Sequence, residues 1–253
     1  MRFAYLGSGS KGNAAVIGAG DTVILLDCGL PLAEVEERIA RLGLSADDLD
    51  AIVVTHEHGD HVAGVAPLAQ RFGLPVWMTP GTRARWNAVP LELVRHVDPH
   101  KEFTLGDLRI EPFPVPHDAR EPCQYVFGDG RFRVGVLSDA GSVTPHMREK
   151  LADCDALLVE FNHDSAMLAC GPYTRSLKRR VAGSYGHLSN DQAAALLAAS
   201  GGSKLQHLVL IHLSEVNNTP ELARAAAAKA LACDPEWIAC AHQRDGLTWR
   251  ELR

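Results

Sequence analysis

Four side chains that commonly bind metal ions follow one short apolar segment, and this arrangement constrains the fold more than any other feature of the chain. Residues 53–55 are β-branched and precede His56, His58, Asp60 and His61. Such a run predicts a buried strand. Because side chains alternate across a strand end, His56 and His58 share one face. A loop that turns into a helix would bring Asp60 and His61 to the same point from another direction.

The chemistry of this H-x-H-x-D-H segment favours a metal site. Imidazole nitrogens and carboxylates are ligands that zinc, manganese and iron accept. A single histidine would favour the alternative, a solvated histidine-rich loop, whereas four potential ligands in this order at a strand terminus favour ligation. Both ligand types suit all three metals, so the identity of the metal stays open.

Short strand-like runs alternate with helical patterns along the chain. Apolar residues spaced by three and four predict helices at 32–42, 63–72, 191–199 and 220–231. Thr219 and Pro220 form a start signal for the last of these. Runs rich in β-branched and aromatic residues predict strands. These strands span 2–6, 14–17, 22–26, 51–54, 76–78, 108–113, 124–127, 132–137, 156–160, 207–211 and 248–251.

The order of these elements predicts an α/β fold in which two mixed sheets carry helices on the outside. The segment Gly201-Gly202-Ser203 is interpreted as a loop. No low-complexity linker or short tandem repeat interrupts the pattern. One continuous domain covering 1–253 is therefore expected.

Composition agrees with an ordinary soluble globular protein. Of the 253 residues, 46% are hydrophobic and 22% are charged, which argues against disorder. No apolar run approaches the ~20 residues of a membrane helix, and the N-terminal apolar stretch is too short for a signal peptide. Six scattered cysteines without a C-x-x-C pair are expected to be free, mostly buried thiols in a reducing cytoplasm. The net charge of −6 argues against a protein that coats nucleic acid non-specifically.

The H-x-H-x-D-H segment resembles the signature of the metallo-β-lactamase superfamily, whose fold is an αββα sandwich. The resemblance implies two divalent metal ions. His56 and His58 would bind the first, and Asp60 and His61 the second. Three further ligands are expected after later strands, and the matching positions are His117, Asp139 and His212. The resemblance assigns His117 to the first metal, His212 to the second and Asp139 to a bridging position.

The loop at 7–13, Gly-Ser-Gly-Ser-Lys-Gly-Asn, is similar to the opening of the YycJ-like (WalJ-like) branch of that superfamily. On composition alone a plain β-turn is the alternative. Small residues allow close approach to an anion and Lys11 adds charge, so Ser10, Lys11 and Asn13 are candidate substrate-binding residues. Other segments resemble the same branch, at 160–164, 171–173, 176–180, 186–190 and 212–218.

The segment at 186–189 also resembles the His-Ser-Thr segment of the tRNA 3′-processing branch. In that branch the histidine helps to protonate the leaving oxygen and is partnered by an acidic residue at a strand end. His187 is therefore expected to be the general acid, with Glu160 as its orienting carboxylate and Asp60 also in the catalytic set. A histidine near a helix start is the alternative for His187. His163 and Asp118 are left open between lining the site and supporting its ligands.

A short basic run precedes His187. Its ordinary meaning is a solvated helix face, but its position makes Lys178 a candidate phosphate contact. Tyr173 is a candidate for stacking on an unpaired base. The chain departs from nucleases that carry an extra substrate-gripping domain or arm, because its length leaves no room for one. The protein would then bind its substrate through a local contact surface, or the substrate would be a small molecule.

Three functions follow from these expectations. The first is a two-metal phosphodiesterase on nucleic acid, and the resemblance to the YycJ-like branch implies a 5′-to-3′ DNA exonuclease with a role in DNA repair. The second is a small-molecule hydrolase on the same scaffold, such as a cyclic-phosphate phosphodiesterase or a thioesterase. The third is a metal-binding regulatory protein without catalysis. DNA is favoured over RNA as substrate, and no membrane partner is expected. A repair-protein partner is a further hypothesis, while the oligomeric state is open.

Overall fold

A computed structural model describes residues 1–200 and 204–253, and the predicted loop at 201–203 lies outside these described residues. Two seven-stranded sheets form the centre of the fold. The first has the strand order β14-β1-β2-β3-β4-β5-β6, and the second β13-β12-β11-β10-β9-β8-β7. The strands of the first sheet are β1 (Arg2–Gly7), β2 (Ala14–Ala19), β3 (Thr22–Leu26), β4 (Ala51–Val53), β5 (Val76–Met78), β6 (Val94–His96) and β14 (Leu247–Glu251).

The second sheet is built from the later part of the chain. Its strands are β7 (Phe103–Leu105), β8 (Leu108–Pro114), β9 (Cys123–Gly128), β10 (Arg133–Leu137), β11 (Ala156–Glu160), β12 (His207–Ile211) and β13 (Ala239–Cys240). Each sheet is antiparallel along one half and parallel along the other. The parallel halves run from β3 to β6 and from β10 to β13. The predicted two mixed sheets are confirmed.

Helices cover the outer faces of both sheets. They are α1 (Leu32–Ala40), α2 (Gly59–Val62), α3 (Val65–Phe72), α4 (Pro80–Arg85), α5 (Pro145–Leu151), α6 (Ser165–Cys170), α7 (Arg175–Val181), α8 (Asn190–Ser200) and α9 (Pro220–Leu231). The start signal of α9 is confirmed, because the Thr219 side chain accepts a hydrogen bond from the Leu222 amide. Within the described part of the chain, every helix is too short or too polar to cross a bilayer.

Three apolar clusters account for the layered packing. One lies between the sheets and contains residues such as Phe3, Tyr125 and Leu158. The second joins the first sheet to α1 and α3, and the third joins the second sheet to α5, α8 and α9. Both faces of the central strands are therefore buried. This explains why β2 is apolar throughout and does not alternate with polar residues.

Most predicted elements are present, and the differences concern short ones. The helix predicted at 63–72 is present as α3, and α2 precedes it as a separate short turn, while the sequence analysis missed α4 to α7. It also missed β6, β7 and β13, which have only two or three residues. Such segments are too short to show a period of 2 or 3.6. The six cysteines are all unpaired, and four of them are buried, as expected.

Candidate metal centre and active site

The carboxyl ends of the strands bring the predicted ligands to one edge of the molecule. His56 follows β4, His117 follows β8, Asp139 follows β10 and His212 follows β12. Strands β8, β10 and β12 run in the same direction, because β8 and β10 are each antiparallel to β9 and β10 to β12 are parallel. Side chains that are far apart in sequence therefore meet at this edge, where ligand sites in α/β sheets commonly lie.

Three histidines form the first group of donors. The Nδ1 atom of His58 lies 3.0 Å from Nε2 of His56 and 3.1 Å from Nε2 of His117. Metal–nitrogen bonds of about 2.0–2.1 Å would separate neighbouring donor nitrogens by about 3.3 Å in a tetrahedral site. These three nitrogens therefore converge at the spacing that one divalent ion requires.

A second group of donors lies beside the first. The Oδ2 atom of Asp60 lies 3.5 Å from Nε2 of His61 and 3.6 Å from Nε2 of His212. Asp60 and His61 occupy the first turn of α2, so a helix start brings them in as the sequence predicts. Asp139 shares a donor group with His56 and His61, and its Oδ2 lies 2.9 Å from Nε2 of His61. It thus lies between the two groups, which together suit divalent metal ions.

Burial sets the charge state of the first group. Burial, followed by the neighbouring His61, lowers the pKa of His56 well below its usual value. Burial also lowers the pKa of His117. A neutral imidazole is the form that binds a metal ion. Both rings are therefore held in the ligating form.

The second group is ionised through mutual pairing. Burial opposes the positive charge of His61, but the carboxylates of Asp139, Asp27 and Asp60 raise its pKa well above the usual value. Burial likewise opposes the negative charge of Asp139, but His212 and His61 hold its pKa well below the usual range. Without an ion, these histidines and carboxylates neutralise one another, and a divalent cation would take over that role.

Asp27 supports the centre and was missed in the sequence analysis. Its Oδ2 lies 2.7 Å from Nδ1 of His61 and accepts a hydrogen bond from the Thr55 hydroxyl at 2.8 Å. Its Oδ1 accepts from the Thr55 amide at 2.8 Å. A carboxylate at Nδ1 directs the opposite nitrogen, Nε2, towards the cluster. The available sequence signal was an acidic residue directly after a buried apolar strand, β3.

Three site residues adopt a backbone conformation that is rare outside glycine. Asp27, Asp139 and His212 have φ values of 57°, 51° and 52°. Each lies within two residues after a strand end. Such conformations cost of order 1–3 kcal/mol and collect at functional sites, where surrounding contacts maintain them. They turn each side chain out of the sheet and towards the cluster.

His187 and Glu160 form a pair next to the donors. Nδ1 of His187 lies 2.7 Å from Oε1 of Glu160 and 3.2 Å from Oδ1 of Asp139. Glu160 is fully buried, and its Oε2 accepts hydrogen bonds from the amides of Ala140 and Leu188 at 3.0 and 3.1 Å. Burial opposes protonation, but Glu160 followed by Asp139 raises the pKa of His187 well above the usual value. Nε2 is then the nitrogen available to a substrate.

His163 and Asp118 flank the site without belonging to its donor groups. The His163 ring is buried, and its Nδ1 has no hydrogen-bond partner among the described residues. Oδ1 of Asp118 lies 3.6 Å from Nε2 of His117 and 3.8 Å from Nε2 of His58. Oδ2 of Asp118 accepts from Nε of Arg180 at 2.6 Å. Asp118 therefore links the first donor group to α7.

The candidate substrate-binding residues of the 7–13 loop occupy different environments. Asn13 is buried, and its Nδ2 lies 3.2 Å from Nε2 of His61 and 3.4 Å from Oδ2 of Asp60. Ser10 and Lys11 are exposed, and the Lys11 ammonium forms a 2.5 Å ion pair with Glu215. Of the three, only Asn13 reaches the donor cluster in the described structure.

The other two candidates lie on the segment ahead of His187. Tyr173 is half-buried just before α7, and Lys178 lies within that helix. The Lys178 ammonium donates to the Ala169 carbonyl at 2.6 Å. Neither residue belongs to the donor groups.

This fold and cluster define a class of protein. A family model described as a beta-lactamase superfamily domain matches residues 22–213. The solved structure of the metallo-β-lactamase fold protein YhfI from Bacillus subtilis superposes with a TM-score of 0.77 at 18% identity, covering 99% of each chain. The fold and the donor set are those of a metal-dependent hydrolase.

Sequence relatives narrow this class. The chain is 35% identical over 239 residues to the exodeoxyribonuclease YycJ of Bacillus anthracis, covering 91% of this chain and 89% of the relative. It is also 35% identical over 238 residues to the exodeoxyribonuclease WalJ of Streptococcus pneumoniae, covering 92% and 88%. The chain belongs to the metallo-β-lactamase superfamily, and within it to the YycJ/WalJ-like proteins.

Proposed function

We propose that this protein is a two-metal phosphodiesterase that degrades DNA from the 5′ end, acting as a single domain in the cytoplasm with a role in DNA repair. The observation that carries the proposal is the His187–Glu160 pair beside the donor cluster, at 2.7 Å. A donor cluster alone suits any hydrolysis. A histidine with a buried orienting carboxylate adds a proton donor, which a poor leaving group such as a nucleotide oxygen requires.

The residues present fit a dinuclear centre. His56, His58 and His117 would hold one ion. Asp60, His61 and His212 would hold the other, with Asp139 between them. Two divalent ions in such a centre supply Lewis-acid polarisation of a phosphate and activation of a water molecule. Zinc and manganese both suit these ligands, and iron is also compatible.

The residues of this chain supply the proton for the leaving oxygen and orient the histidines of the site. Oε1 of Glu160 engages Nδ1 of His187, which directs Nε2 of the ring towards the leaving oxygen. Two backbone amides hold the other oxygen of Glu160, so the carboxylate is fixed before substrate arrives. Asp27 plays the same orienting role for His61. A site held in place in this way needs little reorganisation during reaction.

DNA is the proposed substrate because both full-length relatives are named exodeoxyribonucleases and align along about nine-tenths of this chain. The resemblance to the YycJ-like branch implies 5′-to-3′ polarity, and the role in repair is part of the same proposal. Contact with a repair protein is proposed because the net charge of −6 suggests that a partner delivers the substrate. The substrate-binding roles of Ser10, Lys11, Asn13, Tyr173 and Lys178 are part of this proposal.

The net charge of −6 favours a second candidate, a hydrolase of small molecules on the same centre. A cyclic-phosphate phosphodiesterase or a thioesterase would not need a broad cationic surface. A long nucleic acid would need at least a local cationic surface next to the metal centre. The two candidates share the metal centre and differ in what lies around it.

The test is a nuclease assay with the metal-loaded protein. End-labelled single- and double-stranded DNA and RNA, with 5′-phosphate or 5′-hydroxyl ends, are incubated with manganese and then with zinc. Asp60→Ala removes a proposed ligand. Asp47→Ala is the matched control, since Asp47 is an exposed carboxylate on a surface turn.

Stepwise release of nucleotides from the 5′ end of DNA by wild type and Asp47→Ala, but not by Asp60→Ala, is the expected result. Turnover of a cyclic nucleotide or a thioester without degradation of DNA would establish the second candidate instead. Nuclease activity that survives Asp60→Ala would refute the role of the centre.

A further inference from the structure

An acid-free basic segment leads directly into the active site. Between Ser165 and Asn190 there are 26 residues and no aspartate or glutamate, although the whole chain has 31 acidic residues. The same segment carries four lysine or arginine residues, all of them on α7. In a chain of net charge −6, this is a local reversal of charge. A polyanion that approaches the site along this segment would meet positive charge and no carboxylate of the segment itself.

Two arginines of α7 remain available for such a contact. Arg175 and Arg179 are exposed and lie four residues apart, so they share one face of the helix. Neither pairs with an acidic residue within the described ranges 1–200 and 204–253. Arg180, in contrast, pairs with Asp118, which adjoins the first donor group. The helix is therefore tied to the site on one side and presents free cations on another.

The loop after α7 is fixed to the centre by its backbone. The Gly186 carbonyl lies 3.0 Å from Nδ1 of His117, and the Tyr185 carbonyl accepts from the Asp118 amide at 3.0 Å. The His187 amide donates to the Val181 carbonyl at 2.9 Å, which closes the loop onto α7. The position of this loop relative to the proposed metal ions is consequently set by direct bonds.

Tyr185 projects from this fixed loop into solvent. Its side chain is 63% exposed, which is unusual for a large aromatic residue. Only Gly186 separates it from His187, so the two Cα atoms are at most about 7 Å apart. Proteins that bind single-stranded nucleic acid combine aromatic rings with cations, and Tyr185 follows the cationic helix α7 by four residues.

We propose that Tyr185 and the Arg175/Arg179 face of α7 form a platform for the single-stranded end of the substrate, with Tyr185 stacking on a base next to the scissile phosphate. The platform adds a substrate contact to the proposed nuclease function, and the role of the platform in turnover rests on that function. The platform also explains how a chain with an acidic net charge binds DNA, because the cationic surface that it provides is local. Stacking is tolerant of sequence, so the platform predicts little base preference.

The test separates binding from hydrolysis. Binding of a fluorescent phosphorothioate oligothymidylate, which resists cleavage, is measured by anisotropy with metal-loaded protein. The kcat/KM for a 5′-phosphorylated oligothymidylate is then compared with that for bis-p-nitrophenyl phosphate. The variants are Tyr185→Ala, Tyr185→Phe and the control Trp237→Ala. Trp237 is another exposed aromatic (40%), but it precedes β13 and so lies at the end of the parallel strands opposite to His212.

Tyr185→Ala is expected to weaken oligonucleotide binding by about 5- to 150-fold, the range for loss of one stacked base. The ratio of the two kcat/KM values should fall by a similar factor. Tyr185→Phe should retain binding, because a phenyl ring still stacks, and Trp237→Ala should match wild type. Replacing Arg175 and Arg179 with glutamine should flatten the dependence of log Kd on log salt by about 0.7 per lost phosphate contact.

Each failure has a distinct signature. Wild type that binds the oligonucleotide through Tyr185 but cleaves no DNA would refute the proposed reaction and leave the platform standing. Wild type that cleaves DNA while Tyr185→Ala binds as tightly as Trp237→Ala would overturn the platform alone. Equal losses in Tyr185→Phe and Tyr185→Ala would overturn stacking, since the hydroxyl would then carry the contact.

Discussion

Replacing Asp27 with asparagine probes whether a residue outside the donor cluster controls metal affinity. The Asp27 carboxylate accepts from the Thr55 amide through Oδ1 and engages the Thr55 hydroxyl and Nδ1 of His61 through Oδ2. Asparagine keeps the size and tolerates the φ of 57° at this position. It has only one acceptor oxygen, however. Whichever way the amide is turned, either the Thr55 amide or the His61 ring loses its acceptor.

The expected magnitude follows from the role of such partners. Loss of a carboxylate that orients a ligating histidine typically lowers metal affinity by about 10- to 100-fold. This corresponds to about 1.4–2.7 kcal/mol of binding free energy. The hydrogen bond lost to the buried His61 adds a folding cost of about 1.5–3 kcal/mol, because a charged group takes part. Asp27→Asn should therefore fold, with weakened binding of the second ion.

Competition with a chromophoric chelator measures the affinity for zinc and manganese, and circular dichroism of the metal-free protein measures stability separately. Asp155→Asn is the matched control. Asp155 is a partly buried carboxylate that accepts from the Arg133 amide at 2.8 Å, at the opposite end of the strands. Asp27→Asn with metal affinity within twofold of wild type, and equal to Asp155→Asn, would refute the orienting role.

Two further changes test the proton donor and the loop that carries it. His187→Ala should lower kcat on DNA by about 10²- to 10⁴-fold, and much less on bis-p-nitrophenyl phosphate, whose leaving group needs no proton; Glu160→Gln should show the same pattern more weakly. Equal losses of kcat on both substrates would argue against a proton-donor role. Gly141→Ala should shift the His187 loop, because its Cβ would lie 2.3 Å from the Gly186 nitrogen. Reduced kcat and a lower melting temperature are expected, and unchanged values of both would contradict the packing.

The ligand set of the candidate centre was accessible from the sequence because its signals are local or ordered along the chain. His56, His58, Asp60 and His61 lie within six residues at a strand end, and alternation along that strand defines their faces. The later candidates were implied by the resemblance to the metallo-β-lactamase superfamily, and each follows an apolar run that is typical of a strand. The layered α/β architecture followed from the same runs, since their order suits two mixed sheets.

The short elements were not accessible in this way. The seven-residue α7 contains too few positions to show helical periodicity, and its basic residues read equally well as a solvated face. The ion pair of Arg180 with Asp118 and the hydrogen bond from the His187 amide to the Val181 carbonyl place it at the site. Tyr173 and Lys178 were chosen for residue type and for their place ahead of His187, in segments that resemble the YycJ-like branch. Tyr185, an exposed aromatic residue whose carbonyl accepts from the Asp118 amide, was not among the candidates.

Local chemistry and the family resemblance therefore indicated which residues could bind metal, and long-range geometry determines how these residues are held. Asp27 orients His61 across 34 residues of sequence, and Glu160 meets His187 across 27. The first contact exists because the parallel strands β3 and β4 place their carboxyl ends at one edge, and the second because the loop after α7 folds onto the end of β11. Neither strand pairing nor loop docking between distant segments has a local signature in the chain. The positive φ values of Asp27, Asp139 and His212 are also determined by the tertiary structure, because the surrounding fold maintains backbone conformations that these residues alone would avoid.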